Sequence, residues 1–175
     1  MAGNPRSTVT VDIYEDLLCP ICGAFERATG MTVQTLIKHG KTRVVFHPIA
    51  SLNDASNPPG YSGRAANALA CMPTQQGFVN LQAALYRQQP KEGGAGLTDR
   101  QLVAHARKFG SSDASVAMCI TTHRYARWVT TITKAAENAG VTGTPTVRVN
   151  GKRITHPDGD PPLPKDLTKA VTAAR

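Results

Sequence analysis

The tetrapeptide Cys19-Pro20-Ile21-Cys22 stands where an alternating apolar segment, residues 7–14, gives way to a helical pattern. Val9, Val11 and Ile13 recur every second residue and predict a strand over about 8–14. Ile21, Phe25, Ala28, Val33, Leu36 and Ile37 then form a loose helical stripe, interrupted by Gly30, which costs about 1 kcal/mol in a helix interior and could bend it. Two thiols separated by two residues at a helix start can close a disulfide ring, and the first lies on the positive end of the helix dipole. That position lowers its pKa and makes it an exposed thiolate able to exchange with other disulfides. Pro20 suits the first helical turn, where no backbone N–H is needed. The competing use of such a pair, half a zinc site, requires a second pair or two histidines at short spacing. Cys71 and Cys119 stand alone and far apart, and His39, His47, His105, His123 and His156 show no metal-binding spacing. No metal and no bound cofactor are expected.

A second signal lies far downstream, in Gly140-Val141-Thr142-Gly143-Thr144-Pro145-Thr146-Val147-Arg148-Val149. Strand-forming residues follow Pro145 directly, and Asn150-Gly151 then predicts a hairpin turn leading into Arg153-Ile154. A proline that opens a strand is a candidate for a cis peptide bond. In isolation Pro145 would read as an ordinary trans loop proline; beside the dithiol, the cis reading takes precedence.

Together, the segments 16–25 and 141–146 resemble the thioredoxin superfamily, and most closely its DsbA branch of extracytoplasmic thiol–disulfide oxidoreductases, including two-disulfide actinobacterial forms. The resemblance implies an α/β thioredoxin fold carrying an inserted helical domain. Residues 1–58 and 127–175 would form the thioredoxin-like part and residues 59–126 the insertion. The coarse pattern agrees: strand, helix and a second strand over 42–49, then alanine-rich helices over about 61–72, 77–88, 97–110, 112–119 and 124–138, and a short helix from about Lys165. Thr98 and Gln101 form a capping box, closed by Gly110. The resemblance further implies that Cys19 is the nucleophile and Cys22 the resolving thiol, with Pro20 and Ile21 between them. Thr144 and Pro145 would be the cis-proline loop that binds substrate. Cys71 and Cys119 read from the residues alone as buried free thiols or as a bridge; the resemblance implies a structural disulfide closing a loop of about 49 residues, worth roughly 4 kcal/mol by chain entropy.

The family tends to carry an acid six positions before the first cysteine. That position is Ile13 here, and the acids Asp12, Glu15 and Asp16 flank it. Asp16 is expected to be a solvated loop carboxylate, since isolated acids are mostly exposed, leaving proton transfer to water. DsbA-type dithiols often place histidine where Ile21 stands. Ile21 offers neither donor nor charge, which predicts a reduction potential between thioredoxin's about −270 mV and DsbA's about −120 mV. Trp128, Tyr125 and Ile132 form an apolar helical stripe expected to pack in the core, with an exposed Trp128 lining a substrate groove as the alternative.

A chain of 175 residues, 41% hydrophobic, suits one core. Twenty basic against twelve acidic residues give a formal charge of +8, yet the cations are scattered and aromatics few, which argues against nucleic-acid binding. No apolar run is long enough to span a bilayer, and residues 1–6 hold no signal-peptide core. Four cysteines in two plausible pairs favour an oxidising compartment, so the expectation is an exported or membrane-anchored protein whose signal or anchor is missing from this sequence. By resemblance, a monomeric oxidase would introduce disulfides into reduced exported proteins and be reoxidised by a membrane oxidase of the DsbB or vitamin-K-epoxide-reductase type. A reductase or isomerase, or a non-catalytic thioredoxin-like binding module, are the alternatives.

Overall fold

The computed structural model describes residues 2–40 and 42–174. Met1 and Arg175, which end the two segments assigned above to the thioredoxin-like part, lie outside the described residues, as does Lys41. A five-stranded mixed sheet has the order β1-β3-β2-β4-β5. Its strands are β1 (Ala2–Gly3), β2 (Thr10–Glu15), β3 (Arg43–Pro48), β4 (Thr146–Val149) and β5 (Lys152–Ile154). β2 and β3 run parallel, joined by helix α1 (Pro20–Lys38); β4 returns antiparallel to β2, and β5 forms the edge. The Asn150-Gly151 turn has φ of 47° and 80°, the paired left-handed conformation these residues adopt readily.

Between β3 and β4 lie α2 (Tyr61–Ala70), α3 (Gln75–Arg87), α4 (Asp99–Phe109), α5 (Ala114–Thr121) and α6 (Ala126–Asn138); α7 (Pro164–Ala173) follows β5. The Thr98–Gln101 capping box is present: the Thr98 hydroxyl accepts from Gln101 N, and Gln101 Oε1 accepts from Thr98 N. The break between α5 and α6 falls at His123, whose φ is 49°. α1 runs unbroken through Gly30. Two expectations shift. β2 extends one residue further than its alternation suggested, which draws Glu15 into the strand on the buried face of Val11 and Ile13. In α6 the buried face is Val129 and Ala136, with Ile132 half-buried, so Tyr125 and Trp128 stand partly exposed rather than in the core.

Two large apolar cores form, with a small third cluster of Ile49, Ala136 and Val141 beside β3 and α6. One lies between the sheet, α1 and α7 and includes Val11, Ile13, Phe25, Val44, Phe46, Val147 and Leu167. The other lies among the helices and includes Tyr61, Leu69, Leu81, Leu85, Leu102 and Ile120. Leu17, Leu18, Cys19 and Cys22 pack with the helical core, whereas Phe25, one turn further along α1, packs with the sheet core. The dithiol therefore sits at the seam between the two.

Candidate active site

Cys19 is the N-cap of α1 and Pro20 opens its first turn. Both thiols of the dithiol are free, Cys19 6% accessible and Cys22 fully buried. Cys19 is therefore buried, not exposed as expected, because it packs with the helical core. Thr144, whose peptide bond to Pro145 is cis, lies against it, and Cys19 Sγ lies 3.4 Å from Thr144 O, to which the thiol donates. The Thr146 hydroxyl donates to Gly143 O at 2.7 Å and holds this loop in place. The structure thus brings Cys19, Cys22, Thr144 and Pro145 together from positions more than 120 residues apart.

The two thiols are unlike in acidity. Hydrogen bonding from the Cys22 thiol, helped by the Thr144 side chain and by the amides of Cys22 and Ile21, outweighs burial and brings Cys19 down to about 6. Cys22 is pushed far up, by burial first and then by its neighbour Cys19. Cys19 is consequently a thiolate near neutral pH and Cys22 a thiol.

Asp16 is fully buried, not solvated as expected. Its Oδ1 accepts from Leu18 N at 2.8 Å and from the Ser62 hydroxyl at 2.6 Å, and its Oδ2 from Leu52 N at 2.8 Å. The carboxyl thus ties the turn before Cys19 to α2 and to the segment after β3. Glu15 is buried as well. Tyr86 Oη lies 3.2 Å from Glu15 Oε2 and 3.3 Å from Asp16 O, and Glu15 Oε1 has no partner among the described residues. One phenolic proton cannot serve both acceptors. A protonated Glu15 resolves the geometry by donating to Tyr86, which then donates to Asp16 O. Burial, reinforced by Glu26, holds Glu15 well above the usual carboxylate range. Burial also raises Glu26 to about 7, opposed by Arg87. Glu26 lies one turn beyond Cys22 on α1, and a Cβ at Gly30 would come 2.6 Å from its Oε1. Gly30 therefore leaves room for the half-buried Glu26 carboxyl. Burial thus favours the protonated form of both carboxyls, and Glu26 stands one helical turn from the buried thiol.

Gln89 is a site residue the sequence reading missed. From the end of α3 its Nε2 donates to Leu17 O at 3.1 Å and to Cys19 O at 2.8 Å, and a side chain at Gly23 would collide with its Oε1. Nothing in the Gln88-Gln89-Pro90 sequence marks it, because its partners are backbone carbonyls some 70 residues away.

Beside the dithiol a cleft of about 150 Å³ is lined by Ile21, Thr144, Pro145, Arg153, Ile154 and Pro161, among others. Ile21 projects into solvent, 56% exposed. A larger cleft between α2 and α6 has no cysteine in its wall. Away from the site, Cys71 and Cys119 form a disulfide with Cα atoms 5.9 Å apart, joining the end of α2 to α5. Among the described residues no group of His, Cys, Asp or Glu could hold a metal ion. His47, His123 and His156 pair instead with Asp12, Asp99 and Asp166.

A thiolate at a helix N-terminus, a buried partner three residues on and a cis-proline loop against both define a thiol–disulfide oxidoreductase of thioredoxin fold. The chain belongs to the thioredoxin family whose model, described as "Thioredoxin", matches residues 1–172. It is similar to the solved structure of Mycobacterium tuberculosis DsbA, at 31% identity and a TM-score of 0.76 over 100% of this chain and 95% of that one. The disulfide bond oxidoreductase DsbG of the same organism matches at 31% identity and 0.76, over 99% and 89%. MdbA, a thiol-disulfide oxidoreductase from Corynebacterium matruchotii, matches at 25% and 0.72, over 87% and 79%. These likenesses place the chain among DsbA-like oxidoreductases. Among curated proteins it is 29% identical over 124 residues to the serine/threonine-protein kinase PknE of Mycobacterium tuberculosis, covering 67% of this chain and 22% of the kinase. The chain thus spans about a fifth of the length of the curated relatives it matches.

Proposed function

We propose that the protein is a disulfide donor to reduced polypeptides outside the cytoplasm, with Cys19 as nucleophile and Cys22 as resolving thiol. The observation that supports this most is the acidity gap: Cys19 near 6 against a strongly raised, buried Cys22. A stabilised Cys19 thiolate favours the reduced protein and so makes its disulfide readily given away.

A substrate thiolate attacks Cys19 Sγ; the Cys19–Cys22 bond breaks and Cys22 leaves as a thiolate, which takes up a proton from its surroundings. A second substrate thiolate then attacks the substrate sulfur of the mixed disulfide, forming the substrate disulfide and releasing Cys19 as a thiolate. The two electrons taken from the substrate must pass to a reoxidant, for which a membrane oxidase of the DsbB or vitamin-K-epoxide-reductase type is the partner implied by resemblance. Pro20 and Ile21 shape the attacking turn, and Thr144-Pro145 offers main-chain groups to an extended substrate. A two-part division, with residues 59–126 as a helical insertion on a thioredoxin-like unit, fits the two cores, and a monomer is sufficient for this chemistry. Among the described residues no helix is long and apolar enough to cross a membrane. The second disulfide, Cys71–Cys119, supports an oxidising compartment.

The test is oxidation of a reduced, unfolded multi-cysteine protein by stoichiometric oxidised enzyme. Disulfides should appear in the substrate as Cys19–Cys22 becomes reduced, and Cys19→Ser should abolish this. A protein that leaves the reduced substrate untouched yet reduces disulfides efficiently would be a reductase.

A further inference from the structure

We infer that Arg153 selects substrate segments carrying a carboxylate close to the reacting cysteine. This rests on the reading of Cys19–Cys22 as a substrate-facing dithiol and adds a substrate class to it.

The sheet register places Arg153 directly opposite Arg148, which is itself directly opposite Asp12. Directly opposed residues of neighbouring strands project from the same face, so Asp12, Arg148 and Arg153 form one row across β2, β4 and β5. Two like charges facing each other in such a row disfavour folding. Arg148 has compensation: it donates to Ala139 O at 2.7 Å, and its guanidinium lies 5.5 Å from the centre of the Tyr14 ring. Asp12 is bound to His47 at 2.9 Å. Arg153, on the edge strand, has no ion pair or side-chain hydrogen bond among the described residues.

The acids nearest along the chain do not neutralise it. Asp158 accepts from Asp160 N and lies 3.7 Å from His156, and His156 is held by Asp166 of α7 at 2.8 Å. Asp160 and Lys152 complete the charged groups of this edge, and neither pairs with Arg153.

Arg153 thus stands as an unpaired cation in the wall of the cleft that holds Ile21, Thr144 and Pro145, beside the attacking sulfur. Folding gains nothing from a cation opposite Arg148. A ligand would: an extended segment laid along Thr144-Pro145 can set an apolar side chain on Ile21 and a carboxylate on Arg153.

The experiment compares two short, unstructured single-cysteine peptides of equal length, one with aspartates and one with lysines flanking the cysteine. Each reacts with the oxidised protein, and the mixed disulfide is trapped by acid quench. A neutral thiol, 2-mercaptoethanol, reports the intrinsic reactivity of the disulfide. Flanking charge also alters the peptide thiol itself, so the readout is the acidic-to-basic rate ratio in wild type divided by that in each variant, which cancels that effect. The expectation is a ratio roughly fivefold higher in wild type than in Arg153→Gln at low salt, retained in Arg153→Lys, and mostly lost near 1 M salt, where the screening length falls to about 3 Å. Arg100→Gln, on α4, removes the same net charge and should leave the ratio unchanged. Equal ratios in wild type and Arg153→Gln, or an equal drop in Arg100→Gln, would overturn the assignment and leave only the attraction of a +8 molecule. If neither peptide nor 2-mercaptoethanol reacted, the dithiol reading itself would fall. Reaction with all three thiols and no dependence on Arg153 would remove this inference alone.

Discussion

Cys19 and Cys22 differ chemically because of where their sulfurs lie, one at the mouth of the helix and one behind it. Alkylation of the reduced protein should therefore follow a single ionisation with a midpoint near pH 6, traceable by rapid-mixing mass spectrometry to Cys19 alone; a midpoint near 9 would remove the thiolate on which the mechanism depends. Replacing Ile21, which offers the sulfur no donor, with histidine should raise the reduction potential above that of wild type, as measured in parallel glutathione titrations. Glu26 makes a pH prediction with a definite sign. Its folded pKa of about 7 exceeds the ordinary value of 4.5, so the folded state binds the extra proton. Stability should fall as pH rises from about 4.5 to about 7 and level off above, a loss of roughly 3 kcal/mol from this group. Glu26→Gln should lose that slope and be the more stable protein at pH 8, as read from urea unfolding at both ends of the range.

At the scale of elements, the joints between pieces carry the consequences. The Cys71–Cys119 bridge ties the end of α2 to α5 across 48 residues. Replacing both cysteines by alanine should cost about 4 kcal/mol in chemical unfolding while leaving the rate of Cys19 exchange intact. Asp16 is a joint of another kind, its carboxyl receiving donors from the turn before Cys19, the segment after β3 and α2. Much of this level could be read in the sequence. Alternation marked β2, the Thr98–Gln101 pair marked α4, and Asn150-Gly151 marked the hairpin, because each signal is local. Cys19, Cys22 and Pro145 stood out in the sequence because the chemistry proposed for them restricts which residues can stand there. Asp16, Glu15 and Gln89 did not, because burial of a carboxyl and capture of distant carbonyls depend on what α2 and α3 bring across from elsewhere. Gly30 carried a visible signal whose surroundings were not legible: a Cβ there would meet the Glu26 carboxyl. Trp128 was a similar case, since a helical stripe locates an apolar face but not the element that will cover it.

The whole molecule places its dithiol at the seam between a sheet core and a helical core. Gln89 reaches that seam from the helical side, Asp16 from the end of β2, and Thr144 and Pro145 from the loop before β4, so groups from both sides of the seam surround the Cys19 turn. A single thermodynamic quantity reports on that arrangement: the balance between the dithiol and the disulfide. The most direct measurement is the Cys19–Cys22 reduction potential, obtained by equilibration in glutathione buffers, acid quench and mass-resolved alkylation that reads Cys71 and Cys119 separately. A disulfide donor requires a value well above about −200 mV; a value near about −270 mV, that of thioredoxin, would contradict the account and make the protein a reductase.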